Sequence, residues 1–322
     1  MNSNRRLWIG LGALLAVSFS VLLWVGTEIH RVMPPIPAKV VSEYGDVLYT
    51  RADIEKGRQV WQSIGGQQLG SIWGHGSYVA PDWTADWLHR EAIAWLDADS
   101  RARYSAAYAD LGADDQAAAV ARLTPRIRHN TYDAATDTIV VGNDRATAMG
   151  SVATHYISLF GDDAALHDLR KAYAMKEGTV PDADNRRALT AFIWWSAWAA
   201  TTERPGGTVT YTNNWPHEPL VGNTPPSHLL MWTVFSVLFL IAGIALLGWH
   251  HARHKDEAPA ALPASDPLAM IRVTPSMRAT AKYFWLVIAL FLTQILLGAI
   301  TAHYQVEGQE AYGFRLSDYL PY

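Results

Sequence analysis

The sequence predicts a mostly α-helical membrane protein, with three transmembrane helices and an external, mainly helical domain between the first and the second. Three observations predict it. Apolar runs at 7–26, 229–248 and 283–302 hold no charged residue, and about 20 residues of helix cross a ~30 Å hydrocarbon core. Lys and Arg collect on one side of these runs: Arg5 and Arg6 precede the first, and Arg253, Lys255, Arg272, Arg278 and Lys282 separate the second from the third. By the positive-inside rule those segments are cytoplasmic, and 28–227 and the tail after 302 are external. Between the first two runs, helical apolar periodicity alternates with Gly- and Pro-rich breaks.

Trp8, Trp24, Trp232, Trp249 and Trp285 lie near the span ends, where amphipathic rings favour the interface. The first run lacks a small-x-small cleavage site and reads as an uncleaved anchor. The formal charge of −4 gives no reason to expect nucleic acid. With no Cys, the chain can form no disulfide, thiolate zinc site, iron–sulfur cluster or thioether-bound haem. The reading divides the chain into an anchor (1–32), an external domain with a membrane-covering loop (33–227), a second span (228–250), a cytoplasmic loop (251–280), and a third span with an external tail (281–322).

Within the domain, Met33-Pro34-Pro35-Ile36-Pro37 is a stiff connector. A helix is expected after Thr50, over 51–64, closed by Gly65-Gly66, then a Gly-rich loop to 77. A second helix opens at Asp82 and runs to about 96, and Ala-rich helices follow at 100–111 and 113–122. A small hairpin is expected from 131–132 and 138–141, then helices at 144–160, 164–178 and 184–202. Glu203-Arg204-Pro205-Gly206-Gly207 ends the last helix, and 208–226 is an irregular loop over the membrane face. Asp86 and His89 share a helix face, but no third ligand stands close enough for zinc.

Two stretches carry a resemblance. Lys56-Gly57-Arg58-Gln59-Val60-Trp61, followed by Gly74-His75-Gly76-Ser77-Tyr78-Val79-Ala80-Pro81-Asp82, is similar to the haem-attachment region of the small cytochrome c subunit of cytochrome-dependent nitric oxide reductases. Thr201–Gly206 and 211–223, with His303-Tyr304-Gln305-Val306-Glu307, resemble the quinol-dependent members. Where the cytochrome subunit has Cys-x-x-Cys-His, residues 62–73 here hold neither Cys nor His. The resemblance therefore implies a cytochrome-c-like domain without haem, and electrons taken from a membrane quinol. It also implies a bacterial inner membrane, with the domain in the periplasm.

Further site expectations follow from the resemblance. Gly76 and Tyr78 match calcium-holding positions, although a tight turn with an anchored Tyr is the plain alternative. At a membrane surface Arg204, Asn214 and His217 are candidates to contact haem propionates, and fixing an irregular loop by hydrogen bonds is the favoured reading. His303 and Glu307 match the family's quinol residues. Standing four apart, they meet if the helix continues, and can take the hydrogen bond and proton a quinol gives up.

The spans contain no internal His and no acid, so the ligands for haem b and non-haem iron are expected on further helices or on a partner chain. The expectation is the front portion of the reductase, inactive alone, with a homodimer compatible. The alternative is a non-catalytic membrane-anchored subunit docking on a haem-bearing partner.

Overall fold

The computed structural model describes residues 2–74, 80–253 and 271–307, and of 2–4, 6, 7, 229 and 301–307 the backbone only. It is mostly helical and falls into two units, Met1–Pro225 and Pro226–Tyr322. In the first, α1 (Asn2–Val32) carries a candidate span at Trp8–Val32. In the second, α8 (Ser227–Arg253) and α9 (Pro275–Glu307) carry Leu230–Arg253 and Pro275–Ile300. These are long and apolar enough to cross a membrane, and their apolar side chains are exposed. The third helix starts earlier than the apolar run, so Arg278 is helical rather than in a loop. Thr274 opens it: its hydroxyl accepts the Met277 N–H at 3.3 Å, and Pro275 sits where no N–H is needed.

The globular part is built around α7 (Ala183–Thr201), whose residues from Ala188 to Thr201 are all buried. A helix that is apolar on every side has to lie inside. Its few hydroxyls bond back along the helix, as Ser196 does to the Ile193 carbonyl at 2.7 Å. Helix α2 (Arg51–Ser63) crosses it at Gly57, where an added Cβ would stand 2.0 Å from the Ala188 carbonyl oxygen. Thr50 and Asp53 form a capping box that starts α2. Helices α3 (Trp83–Tyr104), α4 (Ala113–Arg128) and α5 (Asn143–Leu159) surround the same core. Trp83, Trp87, Trp194 and Trp198 are fully buried within it. The connector is bound to this body: the Pro35 carbonyl accepts the Trp195 indole at 2.9 Å, and the Ile36 carbonyl accepts Arg51.

Four differences from the sequence expectations have physical causes. First, α3 is one helix where two were expected at 82–96 and 100–111. Asp99 salt-bridges Arg103 one turn on and Arg122 of α4, and Ser100 is buried, so 97–100 continues the helix. It ends at Ser105, which is left-handed (φ 57°). Second, α4 runs through Pro125 to Arg128, held by buried Ile127 and Arg128. Third, 164–178 forms a 3₁₀ turn (Ala164–Leu166) and a short α6 (His167–Ala172). The buried Arg170 guanidinium takes the Ser158 and Asp163 carbonyls and the Glu177 carboxylate, which folds the segment back.

Fourth, the hairpin is half of a four-stranded sheet. Strands β1 (Lys39–Ser42), β2 (Val47–Thr50), β3 (Tyr132–Asp133) and β4 (Thr138–Val141) take the order β2-β1-β4-β3. β1 lies parallel to β4, with Val40 opposite Ile139.

Candidate functional site

The two segments that drew attention in the sequence meet at one end of the helical core. The first begins where α2 ends. Gly65 and Gly66 take positive φ, and the chain makes a 3₁₀ turn over Gly66–Gln68. The Trp61 indole donates to the Gly70 carbonyl at 3.0 Å, and Gly70 lies against Trp83, whose Nε1 would be 2.0 Å from a Cβ there. The Trp73 indole donates to the Ser196 carbonyl at 2.9 Å, and Thr84 bonds the Ser196 hydroxyl at 3.0 Å. Three indoles, Trp61, Trp73 and Trp83, therefore pack in and beside the interval 62–73.

Asp82 gathers the two ends of the next turn. One carboxylate oxygen accepts the Ala85 N–H at 2.9 Å and caps α3; the other accepts the Ser71 hydroxyl at 2.8 Å and the Gly74 N–H. Gly76 and Tyr78, expected as calcium positions, lie outside the described residues.

The second segment, Glu203–Pro225, has no regular structure beyond one 3₁₀ turn at Pro219–Val221, so its backbone polar groups need side-chain partners. Arg128, at the end of α4, supplies many of them. Its guanidinium reaches Glu203 Oε1 (3.0 Å), Asn223 Oδ1 (2.9 Å) and Asn214 Oδ1 (3.0 Å), with longer contacts to the Gly222 and Thr208 carbonyls. Asn223, fully buried, donates to the carbonyls of Ala200 (2.8 Å) and Pro216 (3.1 Å). Asn213 and Asn214 hold left-handed φ of 56° and 59°, which asparagine tolerates better than most residues.

The expected site residues separate here. Asn214 spends its amide inside the loop, on Arg128, the Thr210 N–H and the Thr224 carbonyl. Arg204 donates to the Tyr211 carbonyl at 2.7 Å. Both hold the loop, the role favoured from sequence. His217 is exposed, and Trp215, two residues before it, packs on Gly74 and joins the two segments: a Cβ on Gly74 would stand 2.2 Å from the Trp215 Nε1. His89 bonds Glu218 at 2.9 Å, and Asp86 accepts Arg90 and the Tyr156 hydroxyl. Neither is free to serve a metal with the other, and no cluster of three metal-ligating residues occurs among the described residues.

Helix α9 continues through Glu307, so His303 and Glu307 stand one turn apart on an unbroken helix. Their side chains lie outside the described set.

Sequence reasoning missed the ion pair inside the domain. Glu91, fully buried on α3, accepts Arg145 Nε of α5 at 2.7 Å and the Trp87 indole at 2.8 Å. Opposite charges on two amphipathic helices gave no local sign of pairing. Burial also raises two phenols. Tyr49, bonded to Thr190, is pushed up to about 12; Tyr156, beside the Asp86 carboxylate, is pushed well above the usual tyrosine value, by burial first.

No curated protein matches the chain. A family model, that of the NorB cytochrome c-like domain of nitric oxide reductase, matches residues 37–217, more than half of the sequence. That span takes in α2 to α7, the sheet and most of the loop that Arg128 holds. The chain belongs to the NorB family of nitric oxide reductases and carries the cytochrome c-like domain of that family.

Proposed function

We propose that this chain is the N-terminal portion of a quinol-dependent nitric oxide reductase, anchored in the bacterial inner membrane with its domain in the periplasm. The reaction of the whole enzyme is the reduction of two NO to N2O and water by two electrons and two protons, which one quinol supplies. The observation that carries the reading is the interval 62–73, which lies where the resembling cytochrome subunit has its haem-attachment segment but holds neither Cys nor His. A c-type haem does not fit these residues: no thiol can form the thioether and no imidazole can ligate the iron. Electrons then need another source, and a membrane quinol is at hand for a chain with three spans.

In this reading the quinol lies against the external end of α9. Glu307 accepts a proton from the quinol hydroxyl, and His303 holds the second oxygen by a hydrogen bond. His217, exposed near Trp215, contacts a haem propionate of the catalytic part, while Arg204 and Asn214 keep its loop in shape. Gly76 and Tyr78 contribute two of the oxygen ligands of a calcium ion, the rest coming from the catalytic part. Haem b and non-haem iron belong to helices or a partner chain that bring histidines at membrane depth. No step of their chemistry is assigned to residues of this chain.

The test is binding of a short-chain quinol to the detergent-solubilised chain, wild type against Glu307→Gln and His303→Ala. The proposal expects saturable binding that weakens about tenfold or more in both variants, the loss of one hydrogen bond to a charged group. Equal binding by all three, or none by the wild type, sinks the quinol site and leaves a docking subunit.

A further inference from the structure

Where α3 packs on α5, four rings that can give up an electron stand in contact. Tyr173, just after α6, meets Trp83 edge-on at 6.0 Å between ring centroids. Trp83 meets Tyr156 edge-on at 5.9 Å, and Tyr156 stacks on Trp87 at 5.2 Å. Trp83, Tyr156 and Trp87 are fully buried, whereas Tyr173 is half-buried, so the run starts where solvent reaches it.

Packing alone accounts for rings in a core. It does not account for how their protons are held. The Tyr156 hydroxyl donates to Asp86 Oδ2 at 2.7 Å, and the Trp87 indole donates to Glu91 Oε2 at 2.8 Å. Removing an electron from a phenol or an indole turns its O–H or N–H into a strong acid. A ring that already donates to a carboxylate loses electron and proton together, and no new charge is stranded on it in an apolar interior. Trp83 differs: its Nε1 is buried and has no hydrogen-bond partner among the described residues. It passes an electron but has nowhere to put a proton, so an electron vacancy moves on from it.

Of the two rings with acceptors, Tyr156 is the better resting place. Asp86 is 18 % exposed, so water meets the carboxyl that receives the proton. Glu91 is fully buried and committed to Arg145 at 2.7 Å. Arg90 pairs with Asp86 at 2.8 Å and makes it a weaker base. An oxidised phenol is nevertheless a far stronger acid than any carboxylic acid, so the proton still moves to Asp86.

We propose that Tyr156 is a trap for one-electron oxidants, reached from Tyr173 through Trp83. The oxidants are the radical nitrogen oxides that NO forms with oxygen, nitrogen dioxide being the one-electron member. One electron passes from Tyr156 through Trp83 and Tyr173 to nitrogen dioxide, which becomes nitrite. The phenolic O–H bond breaks, and its proton forms an O–H bond on Asp86. A neutral tyrosyl radical and a neutral carboxyl remain; one anion, the Asp86 carboxylate, is lost and one, nitrite, is gained. The trap is independent of the quinol reading.

Flash photolysis of the detergent-solubilised chain with ruthenium tris(bipyridine) and persulfate tests it. The photogenerated ruthenium(III) complex is too large to enter the core, so it oxidises Tyr156 only through the rings. Freeze-quenched electron paramagnetic resonance shows a tyrosyl radical that outlasts those formed on the surface. Nitrogen dioxide, made by pulse radiolysis of nitrate, gives the same signal. The chain has 14 Tyr, so substitutions assign it. Tyr156→Phe keeps the ring and abolishes the persistent signal. Tyr44→Phe, at a residue 83 % exposed, leaves it unchanged. Asp86→Asn slows radical formation about a hundredfold, the worth of a positioned base. Tyr173→Phe closes the entry and slows it about tenfold or more, a barrier higher by at least ~1.4 kcal/mol. An unaltered near-UV circular dichroism spectrum verifies the fold of each variant. Failure of either oxidant to give a persistent radical overturns the proposal. So does a persistent radical in folded Tyr156→Phe, its loss in Tyr44→Phe, or formation at the wild-type rate in folded Asp86→Asn or Tyr173→Phe.

Discussion

Arg128 bears a large share of the loop that ends the domain. One guanidinium holds acceptors from Glu203, Asn214 and Asn223, and its side chain is only 9 % exposed. Arg128→Ala leaves those acceptors unpaired beside buried Asn223, and the expected cost is about 3 kcal/mol. Arg128→Lys does not restore it, because an ammonium cannot span three side chains set out for a planar fork. Urea unfolding of the solubilised chain checks both; a loss under about 0.5 kcal/mol in Arg128→Ala contradicts the assignment. The sequence made the loop conspicuous through its density of Asn, Pro and Trp, and it pointed to Arg204, Asn214 and His217 together as loop-fixing or propionate-contacting residues; Arg204 and Asn214 are bonded within the loop and His217 is exposed. Nothing there pointed to Arg128, an ordinary-looking cation in the last turn of a helix with another Arg two residues before it. The same holds for Glu91 and Arg145, which pair across 54 residues of chain. Long-range pairs of common residue types leave no local pattern.

Among the elements, α2 and α7 pack backbone to backbone at Gly57 and Ala188. Gly57 lets the two backbones touch, and this gives a physical reason for the glycine in Lys56-Gly57-Arg58. Gly57→Ala places a methyl within contact of the Ala188 carbonyl and the Phe192 side chain. The helices have to separate, at an expected cost of about 1–3 kcal/mol despite the better helix propensity of alanine. A thermal midpoint unchanged or raised in Gly57→Ala contradicts the crossing. Helices with strong caps or a continuous apolar pattern were legible: 51–64, 144–160 and 184–202 match α2, α5 and α7 within a residue or two. The two strands near residue 40 were not. Each has only four residues; they pair antiparallel with an irregular register between Val40 and Val41, and the second partner of β1 is a parallel strand nearly a hundred residues on. The expected break at 97–99 failed because Asp99 answers two arginines, a tertiary contact that outweighs the weak helix propensity of Asp.

At the scale of the molecule, the interior is crowded with buried indoles and phenols. This has a consequence at alkaline pH. Folding raises the Tyr49 phenol to about 12 and the Tyr156 phenol well above its usual value, so the native state holds these protons more tightly than the unfolded chain. Their stabilising contribution is full below about pH 10, the unfolded value, and is lost as pH rises through about 12. Near-UV circular dichroism and absorbance at 295 nm, followed together, are expected to show these phenols ionising as the tertiary signal disappears. Ionisation of every tyrosine with the tertiary signal intact contradicts it. The three long apolar helices were legible because bilayer thickness imposes a length on apolar runs. The family was legible in motifs that keep their spacing while losing the haem ligands.

The account as a whole turns on where the electrons enter. The most direct measurement is NO consumption by native membranes that carry this chain, with a reduced short-chain quinol or reduced cytochrome c as the only donor. The account predicts turnover with quinol and none above background with cytochrome c, because the interval 62–73 offers no haem to receive an electron. Turnover with cytochrome c at a rate matching or exceeding that with quinol contradicts it.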